Sequence, residues 1–409
     1  MDAPRCQLII LTESFPLPGP DDPFLPLEVQ ILSERFDIRV VPTGSVGRGV
    51  DWGQDSHFTV DTDFVEPAHQ HFGTLVKDLF SSDVTRELSE QDANSFRARA
   101  VVARRRARVL AGQRWARAHI VRKPQNQPTI LYSWWGFPEA LGVAQQIKGM
   151  NIPVVTRMHG YDLFAEQDRL GFVPFQRDLV QAVDKVFSAS KAGANYLCDR
   201  FPELRDKIDV SYLGVAKSTG TSQSSADDVF RIVSCSSLVP VKRVDILIDA
   251  LKLNQTSGMN FVWTHIGDGP EMLALRKQSR ELGSRARFLG EMTHDQVLAW
   301  MASNPIDVFC NVSDSEGLPV SLMEAASCGI PLLARDVGGV REIVDASVGL
   351  LLGSDAIAKN VAAGLEAMRN APIETQVQWR IQSESRWAKK FDAERNYELF
   401  SGQLAALFD

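Results

Sequence analysis

Two glutamates, Glu316 and Glu324, stand eight residues apart across a predicted junction between a strand and a helix. The apolar run 306–312 reads as a buried parallel strand that ends just before Glu316. Pro319 suits the first position of the following helix, and Gly329 suits the position just past its end. Glu324 is therefore predicted five residues into the helix, about 7.5 Å along its axis.

The first turn of such a helix offers unpaired backbone N–H groups and a partial positive charge, which attract anions. A diphosphate seated there would have one carboxylate on its sugar side and the other on its nucleoside side. Because carboxylates accept hydrogen bonds from paired hydroxyls, the arrangement favours a nucleotide-sugar over a bare nucleotide. The spacing alone is equally consistent with a helix start that has one capping acid and one solvated acid.

The residues around the two acids form a longer motif. Segment 317–319 (Gly-Leu-Pro) follows the first acid, 326–331 (Ala-Ser-Cys-Gly-Ile-Pro) follows the second, and 337–344 (Val-Gly-Gly-Val-Arg-Glu-Ile-Val) comes next. In this order they resemble the paired-glutamate motif of retaining glycosyltransferase family 4, including members that build bacterial capsular and extracellular polysaccharides. The resemblance implies an α/β chain of GT-B architecture, with two Rossmann-like domains facing a cleft and a C-terminal helix that crosses back to the first domain.

Size and composition agree with this expectation. A chain of 409 residues with 44% apolar content is long enough for two domains. No apolar run reaches the length of a membrane span, and the N-terminus lacks a signal pattern, so a cytoplasmic protein is expected, soluble or peripheral on the inner face of the membrane. Five scattered cysteines argue against a disulfide framework, and a net charge of −7 disfavours nucleic-acid binding.

Strand patterns and one polar segment divide the chain. Residues 1–215 are predicted as an N-terminal Rossmann-like domain that binds the acceptor, and 229–386 as a C-terminal Rossmann-like domain that binds the nucleotide-sugar. Segment 216–228, rich in Ser, Thr, Gly and Gln, is the predicted linker. Residues 387–409 are predicted as the helix that packs back on the N-terminal domain.

Two adjacent cations follow the first strand of the second half. Lys242 and Arg243 are predicted in the first turn of a helix that starts near Val241, where the macrodipole disfavours positive charge unless an anion lies nearby. The resemblance matches Lys242 to the family's phosphate-binding lysine. The family usually has an arginine five positions earlier, where this chain has Ser237, so Arg243 or an arginine of the first domain is expected to replace it. The resemblance also implies that the main chain at Gly290 and Met292 contacts the nucleotide base. The expected donor contacts are therefore Lys242, Arg243, Glu316, Gly317, Leu318, Glu324, Gly290 and Met292.

In the first half, polar and aromatic residues follow predicted strands at the edge where open α/β sheets bind ligands. The resemblance places His159 against the donor sugar, where its imidazole could polarise a hydroxyl or carry charge at the leaving group. Trp134 could stack on a sugar or lipid, or pack in the core. Glu28 resembles a glutamate of polysaccharide-building relatives, and a simple acid near a helix N-terminus is the alternative. The acceptor-side candidates are therefore Glu28, Arg157, Asp162 and Trp134.

The segment from Arg97 to Lys123 contains ten Lys or Arg and no acid. As a helix it would be only moderately amphipathic. Contact with an anionic membrane, where each basic residue contributes about 1 kcal/mol, and a solvated helix without a partner both remain open. The lipid-linked acceptors of similar enzymes favour the membrane.

The combined expectation is a retaining, metal-independent hexosyltransferase without a cofactor. It would move a sugar from a nucleoside diphosphate sugar, with UDP the expected carrier, to a hydroxyl of a glycan or polyprenyl-linked acceptor in cell-surface polysaccharide biosynthesis. Lys242 would stabilise the leaving diphosphate, Glu316 would hold the sugar and Glu324 the ribose, with His159 as a further catalytic residue. The pair Asp61/Asp63 resembles the metal motif of other glycosyltransferases, but a chance surface match is expected. The pair His69/His71 has no further ligands nearby, so no metal site is predicted. A nucleotide-sugar epimerase and a non-catalytic nucleotide-sugar-binding subunit are the alternatives.

Overall fold

A computed structural model describes residues 5–16, 24–44, 57–64, 77–93, 95–123 and 127–408. The chain forms two compact units. Unit 1 comprises Met1–Tyr212 together with Tyr397–Asp409, and unit 2 comprises Leu213–Asn396. Each unit is built on one parallel sheet, so the α/β class predicted from the sequence is confirmed.

Unit 1 contains a seven-stranded sheet in the order β3-β2-β1-β4-β5-β6-β7. Its strands are apolar and mostly buried, as expected for parallel strands covered on both faces. They are β1 Gln7–Thr12, β2 Asp37–Pro42, β3 Phe58–Val60, β4 Thr129–Ser133, β5 Val154–Met158, β6 Lys185–Ser188 and β7 Ile208–Val210. The α-helices among the described residues of this part are α1 Leu25–Ser33, α2 Ser82–Glu90, α3 Phe96–Ala116, α4 Pro138–Gln146, α5 Gln176–Ala182 and α6 Lys191–Arg200.

Unit 2 contains a six-stranded sheet in the order β10-β9-β8-β11-β12-β13. The strands are β8 Phe230–Cys235, β9 Phe261–Ile266, β10 Ala286–Phe288, β11 Val308–Asn311, β12 Leu332–Arg335 and β13 Gly349–Leu352. The helices are α7 Val244–Thr256, α8 Met272–Gln278, α9 His294–Ser303, α10 Val320–Ser327, α11 Val340–Ile343, α12 Ala358–Arg369 and α13 Ile373–Lys390. In a parallel sheet every strand ends at the same edge, so the loops after β8, β9, β10 and β11 gather there.

The last helix, α14 Ala393–Ala405, returns the chain to unit 1. Phe400 is fully buried there, and its ring lies 5.0 Å from that of Tyr132 and 5.2 Å from that of Phe187. The aromatic contacts explain why an otherwise polar tail is held in place, since buried aromatic pairs add to the energy of area burial.

The Ser- and Thr-rich segment 216–228, where the sequence predicts a linker, lies within unit 2. Ser222 N donates to the Cys328 carbonyl at 2.9 Å, and Ser222 Oγ donates to the Asn304 carbonyl at 2.8 Å. Ser225 Oγ donates to Asp307 Oδ2 at 2.5 Å. Short polar side chains thus tie the segment to its unit, because each hydroxyl can reach a nearby backbone or carboxylate oxygen.

The basic segment is helical. It forms α3 and then one π-helical turn, Arg117–Val121. Four of its arginines bond within unit 1: Arg99 to the Leu79 carbonyl, Arg105 to Asp168, Arg106 to Asp78 and Asp83, and Arg108 to Glu139. Six basic residues are exposed, namely Arg97, Arg104, Arg114, Arg117, Arg122 and Lys123. Among the described helices, α3 included, none combines the length and the apolar content needed to cross a membrane.

Candidate functional site

The paired-glutamate segment folds as a strand, a loop and a short helix. Strand β11 ends at Asn311, the loop carries Glu316, and α10 carries Glu324 as its fifth residue. Pro319 lies at the N-cap position with extended backbone, so the helix starts one residue later than predicted. Gly329 adopts φ +66°, a left-handed conformation that closes the helix at little cost for glycine. The sequence therefore predicted this helix within one residue at each end.

The Glu316 carboxylate lies at the centre of a cluster of hydrogen-bond donors. Its Oε1 atom accepts from Lys242 Nζ at 2.8 Å, Asn311 Nδ2 at 3.1 Å and Ser313 Oγ at 2.6 Å. The Glu316 side chain is only 8% exposed, so these donors replace the water that an ionised carboxylate requires. Lys242 was predicted from the sequence, whereas Asn311 and Ser313 were not.

The loop that carries Glu316 is fixed by backbone contacts on two sides. Asp314 N donates to the Val241 carbonyl at 2.8 Å, and Gly339 N donates to the Gly317 carbonyl at 2.8 Å. Gly338 adopts φ +52°, and a Cβ atom there would lie 1.8 Å from the Glu316 carbonyl oxygen. The Gly-Gly turn before α11 is thus required for close packing against the Glu316 loop.

The position of Lys242 differs from the sequence expectation. Pro240–Lys242 forms a 3-10 turn, Arg243 adopts φ +49° as the N-cap, and α7 begins only at Val244. Lys242 and Arg243 therefore precede the helix, and the first helical turn carries an acid, Asp245. The expectation of two cations inside a first helical turn was wrong, because a left-handed residue separates the turn from the helix.

Arg243 faces two acids of unit 2. Its guanidinium donates to Asp245 Oδ2 at 3.1 Å and to Asp314 Oδ2 at 3.0 Å. Arg335 also bonds to Asp314. Burial raises the pKa of Asp314, but the two arginines outweigh it and hold that pKa below its usual range. Arg243 thus stabilises the loop before Glu316 through its contact with Asp314.

Glu324 is held by a residue that sequence reasoning missed. His294, the first residue of α9, places its Nδ1 atom 2.6 Å from Glu324 Oε1. Cys235, at the end of β8, lies near the same carboxylate. Burial first, and Glu324 next, raise the pKa of its thiol, with Lys242 acting in the opposite direction. The two glutamates, the lysine and the histidine therefore belong to one neighbourhood of unit 2.

Gly290 and Met292, the expected contacts of the base, follow β10. Gly267 N donates to the Gly290 carbonyl at 2.7 Å, which joins this loop to the turn after β9. Gly290 adopts φ +81° and is half-buried, as is Met292. Both residues thus lie at the same edge of the sheet as Lys242 and Glu316.

In unit 1, His159 follows β5 and lies in an aromatic surrounding. Its ring centroid is 5.0 Å from that of Trp134 and 4.5 Å from that of Trp135, and Nδ1 lies 3.8 Å from Asp162 Oδ2. Asp162 accepts backbone hydrogen bonds from His159, Gly160 and Gly136. Burial raises the pKa of Asp162, but the His159 side chain and these amides lower it more. Trp134 is fully buried, which is the core packing that the sequence left open.

Glu28 and Arg157 form an ion pair that is completely buried in unit 1. Arg157 Nη1 donates to Glu28 Oε2 at 2.7 Å, and Tyr132 donates its hydroxyl to Glu28 Oε1 at 3.1 Å. The guanidinium lies 4.0 Å from the ring centroid of Phe400. Burial lowers the pKa of Arg157, but Glu28 outweighs it and raises that pKa above its usual value. Glu28 lies in the first turn of α1, which is the alternative that the sequence offered, and it has no accessible surface with which to contact an acceptor.

Asp61 and Asp63 have a third potential ligand in His119, with all ligand atoms within 4.8 Å of one another. Asp61 is already paired with Arg39, and His119 Nε2 lies 3.2 Å from Asp63 Oδ2. The other histidine pair of the sequence, His69 and His71, lies outside the described residues.

Comparison with known proteins finds a family match for the part of the chain that contains the Glu316 cluster. Residues 221–386 match the family Glycosyl transferases group 1. This segment is therefore similar in sequence to the group 1 glycosyltransferases. The matched range includes Lys242, His294, Glu316 and Glu324.

Known glycosyltransferases are similar to this chain over parts of their length. The chain is 29% identical over 224 residues to the uncharacterized glycosyltransferase MJ1178 of Methanocaldococcus jannaschii, covering 54% of this chain and 60% of that protein. It is 24% identical to WcaL of Escherichia coli K12, a putative colanic acid biosynthesis glycosyltransferase, covering 62% of this chain and 63% of that protein. The chain thus matches less than two thirds of the length of these relatives.

The solved structure of HepE from Anabaena, in complex with UDP and glucose, is similar in fold. It covers 98% of this chain and 100% of that one, with a TM-score of 0.64 at 17% identity. The similarity in fold, with the seven- and six-stranded parallel sheets, confirms the GT-B fold predicted from the sequence.

Proposed function

We propose that this chain is a retaining glycosyltransferase that moves a sugar from a nucleoside diphosphate sugar to an acceptor hydroxyl. The observation that carries the proposal is the cluster in which Lys242, Asn311 and Ser313 surround Glu316, with Glu324 on the adjoining helix. The match of residues 221–386 to group 1 glycosyltransferases supports the reaction class. The HepE complex supports UDP as the carrier, and WcaL supports an acceptor of cell-surface polysaccharide synthesis.

In this proposal unit 2 holds the donor by charge. The bond between the anomeric carbon and the phosphate oxygen breaks, and negative charge grows on the departing diphosphate. Lys242 and the backbone N–H groups at the start of α10 stabilise that charge most in the transition state. An ammonium has three donors, so Lys242 keeps donors for phosphate while one contacts Glu316.

The two carboxylates bind hydroxyl groups on either side of the diphosphate. Glu316 accepts hydrogen bonds from the sugar and faces the positive charge that develops at the anomeric carbon. Glu324 accepts hydrogen bonds from the ribose, and the loops at Gly290 and Met292 contact the base. The acceptor oxygen forms its bond on the face that the diphosphate leaves, and its proton passes to the departing phosphate oxygen, so the configuration is retained.

His159 of unit 1 is the further catalytic residue of this proposal, as the family resemblance implies. Its ring is fixed by Trp134 and Trp135, which lowers the entropic cost of orienting it. Gly317 and Leu318 contribute main-chain contacts beside Glu316. Arg243 supports the donor site through Asp314 rather than by direct contact with phosphate.

The acceptor is a glycan or lipid-linked oligosaccharide, and peripheral contact with an anionic membrane is part of the proposal. Two phenylalanines are unusually exposed: Phe80, just before α2, at 73%, and Phe96, the first residue of α3, at 74%. Arg99 donates to the Leu79 carbonyl at 2.9 Å, which ties the Phe80 segment to α3. Exposed aromatic rings beside the exposed basic residues of α3 are a combination that favours a lipid surface.

The proposal is tested by incubating the purified protein with a panel of UDP- and GDP-sugars and candidate glycan acceptors. Acceptor-dependent release of nucleoside diphosphate is expected, together with a product whose anomeric configuration matches the donor by NMR. Glu316→Gln and Lys242→Met are expected to lose transfer, whereas the exposed controls Glu366→Gln and Lys359→Met are expected to retain it. A donor changed without acceptor would indicate an epimerase, and binding without turnover would indicate a non-catalytic subunit.

A further inference from the structure

The two glutamates of the motif are held by chemically different partners. Glu316 contacts the ammonium of Lys242, whereas Glu324 contacts the imidazole of His294, with Nδ1 and Oε1 2.6 Å apart. The His294 side chain is 18% exposed and that of Glu324 is 7% exposed, so water provides little of the solvation of the pair. Among side chains, histidine alone has an ordinary pKa that lies between pH 5 and 8.

The 2.6 Å separation is compatible with a hydrogen bond in both states of the ring. An ionised carboxylate only accepts hydrogen bonds, so we assign the donor proton to Nδ1 of His294. The ring can do so as a neutral imidazole or as an imidazolium. Titration of His294 therefore changes the charge beside Glu324 without removing the bond that orients it.

The start of α9 fixes the position of the ring. Thr293 is the N-cap, and its backbone N–H and hydroxyl exchange hydrogen bonds with Gln296 in a capping box. His294 is the first helical residue, so a well-defined backbone holds it against α10. Because a helix start disfavours a cation, the protonated ring depends on the nearby acids Glu324 and Asp295 for its stabilisation.

The charged groups around His294 favour its protonated form. Burial lowers the pKa of His294, but the hydrogen bond and charge of Glu324 and the charge of Asp295 outweigh it and raise that pKa above its ordinary value. The thiols of Cys235 and Cys328 also lie near Glu324, and burial raises the pKa of each, so they are neutral. Lys242 is the further cation of this neighbourhood, since it acts on Cys235.

We propose that His294 is a positioning residue of the donor site, which holds Glu324 in the orientation that binds the ribose hydroxyls and whose charge adjusts the affinity for nucleoside diphosphates. This inference rests on the proposed function of Glu324. It assigns a role in nucleotide binding to a residue outside the paired-glutamate motif. Protonated His294 adds one positive charge to a site that receives an anion, so affinity rises as His294 becomes charged.

The experiment is calorimetric titration of the full chain with UDP and with GDP between pH 6 and 9. His294→Ala removes the donor to Glu324 and is expected to weaken binding about tenfold or more, the size of a lost hydrogen bond to a charged group. His294→Asn keeps an N–H close to the Nδ1 position but cannot be charged. Its affinity should approach that of the wild type at high pH and fall behind as the pH decreases.

Asp295→Asn is the matched control, because Asp295 is exposed and acts on the ring through its charge. In Asp295→Asn, the midpoint of the pH profile of affinity should lie at lower pH than in the wild type. Affinity at low pH should be unchanged. The phosphate groups of UDP also titrate, but they do so equally in all variants, so the ratio of dissociation constants isolates His294. Thermal unfolding of each variant checks that the fold is retained.

A comparison of UDP with 2′,3′-dideoxy-UDP separates the two levels of the inference. The wild type should lose affinity for the dideoxy compound, and His294→Ala should lose much less, because Glu324 is then poorly oriented. A wild type that binds neither UDP nor GDP, or binds UDP and dideoxy-UDP equally, overturns the ribose role of Glu324 and the His294 inference with it. Equal discrimination by the wild type and His294→Ala, or identical pH profiles for the wild type and His294→Asn, overturns the role of His294 alone.

Discussion

Replacing Lys242 by methionine is expected to destabilise unit 2 and abolish transfer, whereas adding Glu316→Gln to the same chain is expected to restore stability but not transfer. The Lys242 Nζ atom lies 2.8 Å from Glu316 Oε1, and the Glu316 side chain is 8% exposed. Removing the cation leaves a buried carboxylate with only the neutral donors Asn311 and Ser313. A neutral glutamine can accept from both of them without needing a cation.

The magnitude follows from the burial of the pair. A hydrogen bond to a charged group contributes about 1.5–3 kcal/mol when it is shielded from water. The Lys242 side chain is 25% exposed, so solvent screening reduces the expected loss to about 1–2 kcal/mol. For a unit of the size of 213–396, 1 kcal/mol corresponds to about 2–4 °C in the midpoint of thermal unfolding.

Differential scanning calorimetry of the wild type, the two single variants and the double variant forms a double-mutant cycle. We expect a coupling energy of about 1–2 kcal/mol between Lys242 and Glu316, with the double variant close to the wild type in stability. Transfer should be absent in all three variants, because the phosphate ligand and the sugar ligand are both required. A coupling energy near zero, or transfer by the double variant, would contradict the ion pair as the basis of the donor site.

Three further perturbations have defined outcomes. Burial lowers the pKa of His265 from 6.5 to about 4, so the stability of unit 2 is full above pH 6.5 and falls by about 3 kcal/mol as the pH decreases from 6.5 to 4, because only the unfolded chain binds the proton there. His265→Gln should flatten that slope, as measured by urea unfolding. Gly338→Ala should lose transfer and about 1 kcal/mol or more of stability, since its Cβ atom meets the Glu316 carbonyl; Gly402→Ala, with open space, is the control. Arg104→Glu with Arg114→Glu should abolish sedimentation with phosphatidylglycerol vesicles, and binding equal to the wild type would exclude α3 as the contact.

Much of unit 2 could be predicted from the sequence because its signals are local. The apolar run before Glu316 gave β11, and Pro319 and Gly329 defined the helix after it within one residue at each end. Strands with continuous apolar residues have few alternatives in a two-domain α/β chain. The spacing singled out the two glutamates, and the family resemblance added Lys242, which the structure brings into the same neighbourhood.

The parts that sequence reasoning missed depend on contacts between distant residues. Asn311 and Ser313 are ordinary polar residues after a strand until Lys242 reaches Glu316 beside them. His294 is thirty residues from Glu324, and a lone histidine at a helix start carries no pattern of its own. For Asn311 and Ser313, the sequence offered one signal, which is their position directly before the acidic loop.

Arg157 and Arg243 show the same limit for charged residues. A charge predicts a surface or a ligand, but Arg157 is completely buried against Glu28, which is 129 residues away. Arg243 adopts a left-handed backbone that its residue type does not suggest, and this moves the start of α7 to Val244. Both outcomes depend on tertiary partners that override local preference.

The return of the C-terminal tail to unit 1 has a practical consequence for dissecting the protein. A fragment that ends at Tyr212 would lack Phe400, whose ring covers the Arg157 guanidinium and packs on Tyr132. Without Phe400, the Arg157 guanidinium and the core around it would be exposed to water. An autonomous N-terminal half would therefore need residues 397–409, either added as a separate peptide or fused after Tyr212 through a linker.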